Sequence, residues 1–137
     1  MIIAIRISGH VEMLSYSEET LFRMRMRKKY TAVLLKENEE TKHLLQAVRN
    51  FVAYGPIDSK TLVELISKRG KSLDNKSKVD AKKVAEIIEK DGIAKAGIKP
   101  FFRLHPPRKG IDSKTHFPKG ILGDNGEKIN ELVRRML

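Results

Sequence analysis

The apolar positions of the first third of the chain alternate between two periods. Residues 2–8, IIAIRIS, are apolar at both parities and rich in isoleucine, which predicts a strand with one or both faces buried. A helix is expected over residues 16–26, opened by the capping-box pattern Ser15-Tyr-Ser-Glu18 and turning Met24 and Met26 inward. YTAVLLK at residues 30–36 reads as a second strand. Asn38 is placed to cap a helix whose Thr41, Leu44, Leu45 and Val48 share one face. Phe51–Tyr54 is a third short strand, closed by Gly55-Pro56. Each helix has one apolar stripe, and three strands have one face to cover. Two helices on one face of a small antiparallel sheet is the economical packing. The pattern therefore predicts an α+β fold with a ferredoxin-like β-α-β-α-β core, built around a split β-α-β unit.

The remainder is less regular. Asp58 or Ser59 caps a helix bearing Leu62, Val63, Leu65 and Ile66, which runs to Lys68-Arg69 and stops at Gly70. KSLDNKSKVD then reads as a connection, and Asp80 caps a further helix with Val84, Ile87 and Ile88 inward. Next comes FFRLHPPRKG, which opens as a strand and stops on two prolines. Its basic continuation lasts to Gly120. Asp124-x-x-Glu127 has the form of a second capping box, before a helix striped by Ile129, Leu132, Val133 and Met136.

Charge changes the picture. The net charge is +11, and all of the excess lies in two segments. RMRMRKK at residues 23–29 holds five cations (Arg23, Arg25, Arg27, Lys28, Lys29) and no acid. Residues 93–120 hold seven cations (Lys95, Lys99, Arg103, Arg108, Lys109, Lys114, Lys119) against Asp112 alone. A charge serving only solubility would be interspersed with acids, whereas concentration of this kind favours an anionic partner. Cations at a helix end meet the helix dipole and also suit the phosphates of a nucleic acid. Two prolines stiffen the path to Arg108 and Lys109, reducing the entropy lost when a phosphate is clamped there. Phe101 and Phe102 are expected to anchor this arm to the domain rather than to stack on bases. Residues 105–120 offer so little apolar surface that the segment is expected to order only against its partner.

Other chemistry finds little support. There is no cysteine, which excludes disulfides and thiolate sites. His10, His43, His105 and His116 lack metal-ligand spacing, and no zinc site is expected. His105 and His116 lie within the basic arm, where contact with a phosphate or base is the more natural role. No glycine-rich nucleotide loop, nucleophile elbow or paired carboxylates occur. The apolar run at residues 2–8 is too short for a signal peptide, and no stretch reaches the roughly 18 apolar residues of a membrane span. Neither a membrane nor a small-molecule substrate is expected as a partner.

The chain resembles, over nearly its whole length, the large-subunit ribosomal protein family called L-thirty in bacteria and archaea and L-seven in eukaryotes. Its archaeal form is the nearest. The residues that carry the resemblance are IAIRISG, the FVAYG of residues 51–55, the helix TLVELISKRG, the RLHPPRKG of residues 103–110, the KTHFPKG of residues 114–120, and the terminal INELVRRML. The resemblance implies a ferredoxin-like core at residues 1–57. It also implies an archaeal and eukaryotic type of extension at 58–137, comprising helices, a basic arm at 99–120 and a C-terminal helix. It further implies a cytoplasmic, ribosomal protein without catalytic activity or cofactor. Such a protein would be bound to large-subunit ribosomal RNA near the central protuberance, beside other ribosomal proteins of that subunit. Candidate RNA contacts are Arg23, Arg25, Arg27, Lys28, Lys29, Lys68, Arg69, Arg103, His105, Arg108, Lys109, Lys114, His116 and Lys119. The competing readings are a free architectural nucleic-acid-binding protein and a small RNA-processing enzyme. The first would favour a symmetric dimer with a groove-inserting element, and the second needs a nucleophile or acid–base pair. Neither feature is evident in the sequence.

Overall fold

The computed structural model describes residues 1–9, 14–73, 80–92, 95, 97–110, 117 and 119–137. Strand β1 (Ile2–Arg6) lies at the centre of the sheet, with β2 (Thr31–Leu35) and β3 (Val52–Pro56) antiparallel on either side. Since β2 and β3 run the same way with β1 between them, β2, helix α2 (Glu39–Ala47) and β3 form the expected split β-α-β unit. Helix α1 (Ser15–Arg23) makes the first connection.

Two further strands come from the second half of the chain. Strand β4 (Phe102–Arg103) pairs antiparallel with β2, and β5 (Gly123–Asp124) pairs parallel with β3. The sheet is thus mixed and five-stranded, in the order β4-β2-β1-β3-β5.

The doubly apolar pattern of β1 has a direct consequence: both faces of the sheet are covered. Ile2 and Ala4 join Leu21, Met24, Met26, Val33, Leu45, Val48 and Val52 beneath α1 and α2. Ile3, Ile5 and Ile7 face the other way, into a larger core with helices α3 (Ser59–Arg69), α4 (Ala81–Asp91) and α5 (Ile129–Met136). The expectation of a single face to cover fails for this reason. The two predicted helices do share one face, and α3, α4 and α5 supply the layer on the other.

The helix caps divide. Asn38 Oδ1 accepts from Thr41 N at 2.8 Å, Asp58 Oδ1 from Thr61 N at 2.7 Å, and Asp80 Oδ1 from Lys83 N at 3.5 Å, as expected. Neither capping box forms as predicted. Ser15 is already helical and Leu14 occupies the cap position without a side-chain cap bond. Asp124 instead accepts from Gly126 N in a turn before a short 3-10 segment, Gly126–Lys128. Leu44 is 43% exposed, so the inward stripe of α2 is Thr41, Leu45 and Val48. Ile87 is likewise exposed, and Ala85 takes its place beside Ile88. Gly55 explains its place in FVAYG. A Cβ there would meet the Gly126 carbonyl oxygen and come within 2.9 Å of Ile129 Cγ2, so the C-terminal segment packs against bare backbone.

Candidate nucleic-acid interface

The run at residues 23–29 is a helix end and its exit loop. The Arg25 amide donates to Phe22 O at 3.0 Å and the Met26 amide to Leu21 O at 2.9 Å, the paired bonds of a left-handed helix cap. Arg25 takes the position normally given to glycine, at φ 66°. Met26 and Leu21 are both fully buried and share one core, supplying the hydrophobic contact of that motif. Met24 and Met26 point inward as expected, although the helix ends at Arg23 and not at residue 26, while Arg23, Arg25, Arg27, Lys28 and Lys29 are exposed.

The loop is also held from below. Arg6, 1% exposed, lies on the α1/α2 side of the central strand. Its guanidinium donates to Met26 O at 2.7 Å, Arg27 O at 3.0 Å, Ser8 O at 2.9 Å and Gly9 O at 3.4 Å. Burial pulls its pKa below the ordinary arginine value, and the charge of Glu18 opposes that shift. Arg6 was not among the expected site residues. Its carbonyl partners leave no mark in a residue pattern.

The exposed cations have different neighbours. Arg23 pairs with Glu19 at 2.7 Å, one helical turn away and in open solvent. The Arg27 guanidinium lies 4.1 Å from the centroid of the Phe22 ring, and Lys29 lies over Tyr30 at 5.0 Å. Two grooves then gather the rest. One, of about 330 Å³, is lined by Arg25, Arg27, Lys28, Thr31, Pro100, Phe101 and Arg103. The other, of about 340 Å³, is lined by Lys68, Arg69, Gly70, Lys71, Lys99, Phe101 and Arg103. They meet along Phe101 and Arg103, and neither lining contains a carboxylate.

Lys71 and Lys99 were not among the expected contacts. They are brought together by an antiparallel bridge between Ser72 and Ile98, with the Lys99 amide donating to Lys71 O at 2.8 Å. Their separation in sequence hides this. Phe102 is 1% exposed and Phe101 packs half-buried against the core beneath α1 and α2, so both anchor the arm as expected; Phe101 also lines both grooves.

The arm's first half is more built than its composition suggested. Leu104 and Pro107 are buried, and the Leu104 amide donates to Tyr30 O at 3.0 Å. The Arg108 amide donates to Arg135 O at 3.0 Å, while Arg135 Nε donates to Arg108 O at 3.0 Å and Arg135 Nη2 to Gly110 O. Backbone bonds to the C-terminal helix thus tie this half of the arm to the fold. Arg108 and Lys109 remain exposed at the turn. His105 is half-buried, with its ring nitrogens 2.5 Å from Pro106 O and Leu137 O, so its ring is engaged within the fold. Lys119 lies elsewhere, in a recess shared with Lys128, Glu131 and Arg135. Lys114 and His116 fall outside the described residues. Among the described residues no cluster of histidine, aspartate and glutamate could hold a metal, and no helix is long and apolar enough to cross a membrane.

No family model matches the chain. Curated relatives do. The chain is 37% identical to large ribosomal subunit protein uL30 of Archaeoglobus fulgidus, with 99% of each chain covered. It is 37% identical to the protein of that name from Staphylothermus marinus, covering 97% of this chain and 96% of the relative. With that of Methanobrevibacter smithii it is 36% identical over the full length of both. The chain belongs to the uL30 family. This is a family of ribosomal proteins, not of enzymes. The alignment with the M. smithii protein runs to 153 positions against a chain of 137 residues, so that uL30 relative carries residues without a counterpart here.

Proposed function

We propose that this uL30-family chain is a structural constituent of the large ribosomal subunit, located in the cytoplasm with the ribosome beside other proteins of that subunit. On this reading it binds and stabilises large-subunit ribosomal RNA during assembly and translation. The observation that carries the proposal is the pair of adjoining grooves. Their linings include Arg25, Arg27, Lys28, Lys68, Arg69, Lys71, Lys99 and Arg103, with no carboxylate. Eight cations on one surface repel one another unless anions lie between them, and RNA phosphates release counterions when they do so. The Arg6 bonds and the left-handed cap fix the loop at 24–27 in advance, so less ordering entropy opposes binding. Arg108 and Lys109, on a separately braced turn, and Lys119 are proposed as further phosphate contacts. Arg23 and Lys29 sit at the margin, and Lys114 and His116 remain proposed from the sequence alone. The His105 ring already has partners, which makes it the weakest of the proposed contacts.

The test is the salt dependence of RNA binding. Replacing Arg25, Arg27 and Lys28 together with glutamate should lower the slope of log affinity against log salt by about two, at roughly 0.7 to 0.9 per phosphate contact. An unchanged slope in a folded variant would reduce the run to a solvated helix end. Retention of the wild-type chain on large subunits through a high-salt wash, and its absence from other fractions, would separate a subunit constituent from a free nucleic-acid-binding protein.

A further inference from the structure

We propose that the ridge between the two grooves receives an unpaired base of the RNA, laid against Arg103 and Phe101, while the flanking phosphates enter the grooves. The inference rests on the RNA-binding reading and adds a recognition element to it. Phosphate tracking needs cations alone. Here the cations surround a partly apolar feature: Phe101 is half-buried where its neighbour Phe102 is fully buried, and Pro100 and Thr31 line the groove beside it. The Arg103 guanidinium lies over the Phe101 ring, 5.3 Å from its centroid, within cation–π range. A flat guanidinium over a ring presents a surface that a nucleobase can cover, with charge available at its edge for phosphate.

In a duplex the faces of the bases are already stacked on each other, so only a bulged, looped or terminal nucleotide can use such a surface. The charges on both sides suit this geometry. Arg25 and Arg27 stand in one groove and the α3 end in the other, so a strand crossing the ridge would place phosphates on either side of the base it presents. The chemistry recognised is thus a single unstacked nucleotide within a structured RNA. The ridge would set register on the RNA, and the grooves would supply most of the affinity.

The full-length chain should be titrated with two RNA hairpins identical except for one unpaired adenosine bulge. The bulged hairpin is expected to bind about tenfold more tightly. Phe101→Leu keeps an apolar anchor and removes the ring; Arg103→Lys, at an exposed position, keeps the charge and removes the plane. Each should bring the ratio of the two affinities towards one, whereas Arg27→Gln should weaken binding to both hairpins alike. With 2-aminopurine in place of the bulged adenosine, binding should change its fluorescence, and Phe101→Leu should remove that change. A wild-type ratio of one, or a ratio that survives both ridge variants, overturns the inference while leaving phosphate binding in place. Failure of the wild type to bind either hairpin would remove the RNA-binding reading itself.

Discussion

Two loops of this molecule present cations from a left-handed main chain, and they are braced to different depths. In the loop after α1, Arg25 sits at φ 66°, and in the turn after the double proline Lys109 sits at φ 67°. Under each, an arginine donates to the carbonyls of the loop. Arg6 reaches Met26 O and Arg27 O from a fully buried site on the central strand. Arg135 reaches Arg108 O and Gly110 O from the last turn of α5, through exposed bonds. The same device therefore operates at two depths. A guanidinium sealed beneath a loop has no water to replace its lost partners, and the loop inherits the stability of the core. A guanidinium at the surface can exchange its partners for water, so its loop can open locally.

The comparison can be broken most directly at Arg6. Arg6→Met retains volume but strips several charge-assisted bonds from buried carbonyls, and should cost about 3 kcal/mol or more in urea denaturation. A loss below about 1 kcal/mol would mean that the helix cap and Met26 hold the loop unaided. Arg135→Ala is expected to cost only about 1 kcal/mol globally, with its effect concentrated at the tip. Amide exchange at residues 108–110 should accelerate while the sheet stays protected; equal acceleration in the sheet would show that the second brace is as deep as the first. Arg25→Gly sharpens the contrast from the other side. Removing a side chain from the left-handed position should leave stability unchanged or raise it by about 0.5 kcal/mol. The RNA salt slope should nonetheless fall by about 0.7 to 0.9. A variant less stable than the parent would show that Arg25 has a structural role here.

These braces mark the limit of what the sequence makes legible. Local patterns were readable because their partners lie within a few residues. Asn38, Asp58 and Asp80 cap the amide three positions on, and Ile129, Leu132, Val133 and Met136 stripe α5 as their spacing requires. Leu44 was misplaced because Leu44 and Leu45 are adjacent and both apolar. Thr41 settles the stripe by lying one turn before Leu45, and only packing reveals that. Of the candidate site, Arg25, Arg27, Lys28, Lys68, Arg69 and Arg103 do converge. Lys71 and Lys99 could not be read, since a bridge between distant segments brings them there. Arg6 was least legible of all. A charge in an apolar strand resembles a defect until the carbonyls of a loop 20 residues away are seen to surround it.

The placement of β4 and β5 has one more consequence. Each is only two residues long, and together they form the two outer margins of the sheet. A strand so short offers too few unpaired amides and carbonyls to template a foreign strand. Copies carrying a net charge of +11 also repel one another. A free copy of the chain is thereby protected twice against edge-to-edge aggregation, by geometry at close range and by charge at long range.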